Sequence, residues 1–343
     1  MSRATVRRVA ALFEVCGVAV VGAFVNDKVT DLLAAHHLIS TISPFALLTT
    51  QATDADLLLA SRQLLLAFAL IYGSFAAVIV PIGWWQRHDG RKQYGLTRSG
   101  SSWKTLLAAA LATSVLTQWP VLVHTLVDAV HPLGAMAPWR QAFFDMSWKR
   151  WQFWLFAAIL SYLVVPVVEE LLFRGYYQRR LAQDWGNGPA ILGTACFFTM
   201  SHPQYRIANL YNITMIGSLF FLAVGLGIVF AWTKSLLPSM LAHAIINVPL
   251  TPFWQGCLLL LFLGGVVVAF RPGLRVASSI FSGSGGVLLL SLPLLLGCFA
   301  LMEQRWTGTG TIVLAIACLL LSLGWTLLNG RSAGETVAVN RPL

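Results

Sequence analysis

Residues 153–174 read FWLFAAILSYLVVPVVEELLFR, an apolar run that ends in two adjacent carboxylates, Glu169 and Glu170, followed by Arg174. A run of this length predicts a helix that enters or crosses a bilayer. Ionisable groups at such a place are costly unless they are paired or used, so they indicate a functional site. Glu170 and Arg174 are four residues apart and share one helix face, whereas Glu169 points about 100° away. We therefore expect Arg174 to hold Glu170 ionised, which leaves Glu169 free to act.

The chain as a whole has the composition of a membrane protein. Of its 343 residues, 57% are hydrophobic and only 10% are charged, which is too few charges for the surface of a soluble domain. The predicted fold class is all-α, a polytopic transmembrane helical bundle of about 8–10 spans. The apolar segments lie at about 9–26, 57–85, 105–130, 152–172, 188–202, 213–233, 236–252, 255–270, 285–302 and 310–328.

The net charge is +10, and the basic residues that produce it are concentrated in the segments that join the apolar runs. This pattern follows the positive-inside rule and predicts an integral, multi-pass protein of the plasma (inner) membrane with cytoplasmic N- and C-termini. No basic helix or RNA-binding motif accompanies the charge, so nucleic-acid binding is not expected. The N-terminal apolar run contains Glu14 and is interpreted as a retained first helix rather than a signal peptide.

The five cysteines lie in apolar segments, and none forms a Cys-x-x-Cys pair. The sequence therefore predicts neither a disulfide framework nor a thiolate metal site.

Two further segments carry polar groups at helical spacing. In the first, Phe198 is followed four residues later by His202, and in the second His243 is followed four residues later by Asn247. A glutamate can deprotonate water, while histidine and asparagine can stabilise an oxyanion, so the three segments together predict a hydrolytic site. Each group also has a structural explanation, because an intramembrane histidine often bonds a neighbouring helix.

A structural role is also open for two charged residues inside other predicted spans, Glu14 and Arg62, which could pair with each other.

The three motifs together resemble the family of type II CAAX prenyl endopeptidases and bacteriocin-processing proteins, abbreviated CPBP. The family pattern is Glu-Glu-x-x-x-Arg, then Phe-x-x-x-His, then His-x-x-x-Asn, and this chain supplies all three in order. The resemblance covers about residues 150–250, and three motifs in register are far more specific than one. The matching residues are Glu169, Glu170, Arg174, Phe198, His202, His243 and Asn247.

The resemblance implies an intramembrane protease of the glutamic type. Glu169 would be the general base that activates water, supported by Glu170 and Arg174, while His202, His243 and Asn247 would orient water and stabilise the oxyanion. The substrate would be a membrane protein or a lipidated or leader-bearing peptide, held among membrane lipids.

No cofactor is expected, although zinc is an alternative with Glu169, His202 and His243 as ligands. A His-Glu-x-x-His motif is lacking, and asparagine is a poor zinc ligand, so the metal-independent mechanism is favoured.

The expected organisation is a catalytic core at 150–252 between N-terminal transmembrane helices at 1–149, of unknown role, and C-terminal transmembrane helices at 253–343. Two other functional classes remain open. A non-catalytic immunity or scaffold protein could keep the same fold, and a transporter could use Glu169 and Glu170 as a proton site. Missing repeat symmetry counts against the transporter.

The predicted positions of the two histidines along their spans differ, although both are expected in the same site. His202 would lie about 20 Å along the fifth span, whereas His243 would lie only about 10 Å from the start of its own helix. A strongly tilted helix or a site near mid-membrane would reconcile the two positions.

Overall fold

The computed structural model describes residues 3–39, 51–85, 94–131 without 99, 151, 159–248 without 203–204 and 206–208, and scattered positions between 254 and 279. In these ranges the chain is helical and contains no β-strand, which confirms the all-α class. The predicted spans at 285–302 and 310–328 lie outside the described residues. The helices are α1 Arg3–Ala35, α2 Asp54–Trp85, α3 Trp103–Thr117, α4 Trp119–Val130, α5 from Leu160 to Trp185, α6 Asn187–Met200, α7 Leu210–Thr233 and α8 Leu237–Ile246.

Three stretches of the described chain are long and apolar enough to cross a membrane. They are Asp54–Val80, Trp103–Val130 and Leu210–Thr233, and α8 is a shorter apolar helix. The second stretch is divided between α3 and α4 at Gln118, because Pro120 occupies the first turn of α4 and lacks the amide that would continue the ladder. Length and composition thus agree with a helical membrane bundle.

Helix α7 lies at the centre of the described helices and packs against α3, α4, α6 and α8. It begins at Asn209, whose side chain accepts a hydrogen bond from the backbone amide of Asn212 at 2.7 Å, a typical N-cap. Two glycines allow close packing on α7. A Cβ on Gly225 would collide with the side chain of Thr117, and one on Gly227 would lie 2.9 Å from Gln178 Oε1. Small residues therefore let α3 and α5 approach this helix.

Helices α5 and α6 form a tight hairpin around Gly186. This residue has a φ of +84°, a conformation that glycine adopts without the steric cost of a Cβ. Glu169 and His202 lie nearly the same number of residues on either side of Gly186. The two arms consequently place both residues at a similar height, without requiring an unusual tilt of α6.

Helix α8 begins partway along α5 rather than beside the hairpin turn. The side chain of Leu236 lies 3.3 Å from the position that a Cβ on Gly175 would occupy. The start of α8 is therefore beside the middle of α5, closer to Glu170 than the hairpin turn at Gly186 is. Fewer residues are therefore needed from the start of α8 to bring His243 beside Glu170 than are needed from Gly186 to His202. This difference in starting position explains why the two histidines lie at different distances along their own helices.

A group of ion pairs and hydrogen bonds fastens α1 to the end of α5. Arg180 Nε donates to Glu14 Oε2 at 2.7 Å, and its Nη1 donates to Asp184 Oδ2 at 2.8 Å. The Tyr176 hydroxyl donates to Glu14 Oε1 at 2.9 Å. Of the two possibilities left open for Glu14, a structural ion pair is present, and its partner is Arg180 rather than Arg62, because α1 lies beside the end of α5. We call this group the α1 clasp.

The α1 clasp gives a testable prediction about stability. Glu14→Gln removes the charge that Arg180 contacts, and we expect the free energy of unfolding to fall by about 1–3 kcal/mol, as for other hydrogen bonds to charged groups. The measurement is thermal or denaturant unfolding in detergent. Arg7→Met is the control, because Arg7 lies 3.7 Å from Asp184 with a side chain that is 73% exposed, and we expect a change within about 0.5 kcal/mol. Equal losses in the two variants would contradict a specific role for the clasp.

Candidate active site

The backbone of α5 is irregular on both sides of the two carboxylates. Residues Leu160–Val164 and Leu171–Gln178 form π-helical turns, and only Val165–Glu170 between them is regular α-helix. Such turns are rare and frequently mark functional sites. The first π turn ends two residues before Pro166, whose missing amide N–H cannot complete a regular ladder. The irregular backbone before Glu169 therefore coincides with a proline.

Glu170 is locked in the interior by two donors. Arg174 Nη1 donates to Glu170 Oε1 at 2.8 Å, and His243 Nδ1 lies 2.9 Å from the same oxygen. The side chains of Glu170 and Arg174 are both 0% exposed. The predicted pairing of these two residues is therefore present, and it joins α5 to α8 through His243.

Arg174 makes contacts with three different helices. Besides its ion pair within α5, its Nη2 donates to the backbone oxygen of Ala223 on α7 at 2.9 Å. Its guanidinium carbon also lies 4.9 Å from the ring centroid of Phe198 on α6, a cation–π contact. A buried charge is tolerated only when it is paired and hydrogen-bonded. Both terminal nitrogens of Arg174 are hydrogen-bonded, whereas Nε has no partner among the described residues.

Phe198 lies between the two histidines of the predicted site. Its ring centroid is 4.8 Å from that of His202 and 5.8 Å from that of His243. His202 Nδ1 lies 2.7 Å from the backbone oxygen of Phe198. A carbonyl only accepts, so Nδ1 carries the proton and Nε2 of the neutral ring is an acceptor. Phe198 therefore sets the spacing of the histidines and the tautomer of His202.

Glu169 has a less restrained environment than Glu170. Its side chain is 14% exposed, and its Oε2 is 3.8 Å from His243 Nε2, which is longer than a hydrogen bond. Among the described residues this oxygen has no hydrogen-bond partner. Its other oxygen, Oε1, accepts a hydrogen bond of 3.2 Å from the Tyr72 hydroxyl of α2. Glu170 Oε2 also has no hydrogen-bond partner among the described residues, so the two carboxylates differ in exposure and in the ion pair with Arg174.

Tyr72 was missed by sequence reasoning. It lies in an apolar span outside the three motifs, and a lone tyrosine in such a span has no spacing that singles it out.

Asn247 contacts the backbone rather than the carboxylates. Its Nδ2 donates to the backbone oxygen of Ser161 at 2.8 Å, in the first π turn of α5. A primary amide has two N–H groups, so one donor remains for a second partner. Asn247 therefore ties the end of α8 to the start of α5, and its predicted oxyanion role stays a prediction.

Zinc is the alternative cofactor, with Glu169, His202 and His243 as its expected ligands. In the part of the chain that the structure describes, no group of three or more His, Cys, Asp or Glu side chains is placed to hold a metal ion. His202 Nδ1 contacts a carbonyl and His243 Nδ1 contacts Glu170, but histidines that bind a metal through Nε2 make the same contacts. The zinc alternative therefore stays a prediction, and no step below is derived through a metal.

These observations define a class of protein: a helical membrane protein in which glutamate and arginine side chains of α5 and His243 of α8 form one buried cluster beside Phe198 of α6. Residues 151–249 match the family model described as Rce1-like, type II CAAX prenyl endopeptidase Rce1-like. The chain therefore contains an Rce1-like domain, and the resemblance to the CPBP family is confirmed over these residues. No curated protein and no solved structure matches the chain. This family is one of CAAX-type intramembrane proteases, so the match indicates a protease-type domain in a membrane protein.

Proposed function

We propose that the protein is an intramembrane endopeptidase that hydrolyses a peptide bond in a membrane-associated protein or peptide, with Glu169 as the general base. The observation that carries the proposal is the contrast between the two glutamates. Oε2 of both glutamates has no hydrogen-bond partner among the described residues. Glu170, however, is 0% exposed and its Oε1 contacts both Arg174 and His243, whereas Glu169 is 14% exposed and its Oε2 lies 3.8 Å from His243 Nε2. A base needs an oxygen that water can reach, and the partly exposed Glu169 suits that role better than the fully buried ion pair.

The proposed reaction begins with a water molecule held beside Glu169 Oε2. Glu169 takes one proton from this water while the water oxygen bonds to the substrate carbonyl carbon, which forms a tetrahedral oxyanion. The oxyanion then collapses, the carbon–nitrogen bond breaks, and the proton on Glu169 passes to the leaving amine. Both product termini are thereby accounted for without a covalent enzyme intermediate.

The hydrogen bonds of the histidines indicate when these rings orient water and when they stabilise the oxyanion. With Nδ1 of each ring directed at an acceptor, Nε2 of the neutral rings of His202 and His243 accepts a hydrogen bond and so suits the orientation of water. Each ring becomes an Nε2–H donor to the oxyanion only when it is protonated. Asn247 has one amide hydrogen beyond its bond to Ser161 and donates to the oxyanion without any change of protonation.

The test of the proposed function is a cleavage assay with purified protein in detergent or liposomes. A peptide ending in farnesyl-Cys-a-a-X, its unprenylated counterpart and an apolar leader peptide are compared, and products are identified by mass spectrometry. We expect cleavage of at least one peptide by the wild type and a rate about 10²–10⁴-fold lower in Glu169→Gln. Cleavage at the wild-type rate in Glu169→Gln would refute the proposal, and folded wild-type protein that cleaves none of these substrates would favour the non-catalytic immunity or scaffold alternative.

Metal dependence is decided in the same assay. We expect the rate to be unchanged by a chelator, since the sequence lacks a His-Glu-x-x-His motif. Loss of activity with the chelator and its return with zinc would establish the zinc-dependent alternative instead.

The proposed location is the plasma (inner) membrane, as a multi-pass protein with both termini in the cytoplasm. The basic residues of the connecting segments support this orientation. Reporter fusions at each terminus test it, and a reporter active only outside the cytoplasm would reverse the assignment.

A further inference from the structure

The helices before the Rce1-like domain also contribute a side chain to the candidate active site. Tyr72 lies in α2, outside residues 151–249, and its hydroxyl is 3.2 Å from Glu169 Oε1. We propose that Tyr72 is a positioning residue for Glu169, so that the N-terminal helix pair α1–α2 completes the active site. This inference rests on the proposed function, in which Glu169 is the base.

Helix α2 is held against the beginning of α5 by apolar packing. Leu57, Ala60 and Leu64 are buried in a cluster with Leu160, and Val164 packs against the same cluster. This contact involves the first π turn of α5, directly before the segment that carries Glu169. The packing therefore fixes the height of α2 relative to the carboxylate.

The other end of the helix pair is held through α1. The side chain of Phe75 packs on Gly22, where a Cβ would lie only 2.6 Å from the ring, so α1 and α2 approach closely one turn beyond Tyr72. The α1 clasp then joins α1 to the last turns of α5 through Glu14 and Arg180. Tyr72 lies between these two attachments, and its ring also contacts Phe68 at a centroid distance of 5.7 Å. A phenol held in this way has little freedom to leave Glu169.

The hydrogen bond from Tyr72 divides the two oxygens of Glu169 between different tasks. A phenol O–H donates to the carboxylate, so Oε1 is occupied, while Oε2 faces His243. Among the described residues, the charged or titratable groups around Glu169 are Tyr72 from α2, His243 from α8, and Glu170 and Arg174 on its own helix. Of these, only Tyr72 donates a hydrogen bond to Glu169 among the described residues, and it thereby selects the oxygen that accepts the proton from water.

The prediction is that Tyr72→Phe lowers kcat about tenfold, which corresponds to about 1.4 kcal/mol in the barrier. We expect KM to change less than about twofold, because a residue that acts through Glu169 does not bind the substrate. The measurement is steady-state kinetics on the full chain with a peptide that the wild type cleaves. A merely structural role would lower the folded fraction without this separation of kcat from KM.

Tyr176→Phe is the matched control, since it also removes one phenol hydrogen bond to a carboxylate, that of Glu14 in the α1 clasp. The Arg180–Glu14 ion pair that attaches α1 to α5 is kept in this variant, so we expect lower thermal stability and an unchanged kcat per folded molecule. A double variant, Tyr72→Phe with Glu169→Gln, tests whether Tyr72 acts through Glu169. We expect it to have the same residual rate as Glu169→Gln alone.

Three results would overturn the inference. One is an unchanged kcat in Tyr72→Phe while Glu169→Gln is inactive, which leaves the proposed function intact. The second is a further loss in the double variant beyond that of Glu169→Gln. The third is full activity in Glu169→Gln, which refutes the proposed function itself and removes the basis for a positioning role.

Discussion

Replacement of Glu169 by glutamine is expected to lower kcat by about 10²–10⁴-fold, the usual contribution of a general base. Glutamine has nearly the same shape, and its amide oxygen still accepts the hydrogen bond from Tyr72, but it takes no proton from water. Glu169 is outside the buried Glu170–Arg174 pair, so we expect the thermal midpoint to stay within a few degrees of the wild type. The measurement combines peptide-cleavage kinetics with unfolding in detergent.

The adjacent residue supplies the matched control. Glu170→Gln removes the same charge one position later, but there it leaves a fully buried arginine without its counterion. We therefore expect a large loss of stability in Glu170→Gln, in contrast to a loss of turnover with a stable fold in Glu169→Gln. If Glu169→Gln unfolded and Glu170→Gln remained stable, the division of roles between the two glutamates would be reversed.

The second large effect is expected when Arg174 is replaced by methionine. Breaking a buried ion pair by removal of one partner costs about 3–5 kcal/mol, because an uncompensated charge stays in the interior. Arg174 also donates to Ala223 on α7 and stacks on Phe198 of α6, so the loss affects the junction of three helices. The expected observation is a marked fall in the unfolding midpoint, measured at matched detergent concentration.

A double variant separates the charge from the packing. In Glu170→Gln with Arg174→Met, no charged partner remains alone, so we expect the combined destabilisation to be smaller than the sum of the single losses by about 1–3 kcal/mol. Strict additivity would show that the ion pair does not couple the two residues, contrary to their 2.8 Å contact.

Local spacing in the sequence predicted much of the candidate site. The separation of Glu170 and Arg174 by four residues was enough to indicate their ion pair, because the geometry of a helix turn is nearly fixed. The apolar runs likewise indicated helices of the right type. The end of α5 was less predictable, since the helix continues past the apolar run to Trp185 through turns whose π geometry has no clear sequence signal.

Contacts between distant helices could not be read from spacing. The partner of Glu14 is Arg180 and not Arg62, and the partner of Glu169 Oε1 is Tyr72. Each depends on which helices lie side by side, which is decided by packing over the whole bundle. Asn247 shows the same limit, because its bond to Ser161 follows from the placement of α8 beside the start of α5.

The two arms of the hairpin around Gly186 have nearly equal lengths. One arm runs from the turn back to Glu169, and the other runs from the turn forward to His202. Removal of a single residue from either arm would shift its far end by about 1.5 Å and rotate it by about 100°, which would change the position of Glu169 relative to His202. The number of residues between the first two motifs is therefore as much a part of the site as their identities, and a chain that kept the motifs but changed this interval would lose the alignment.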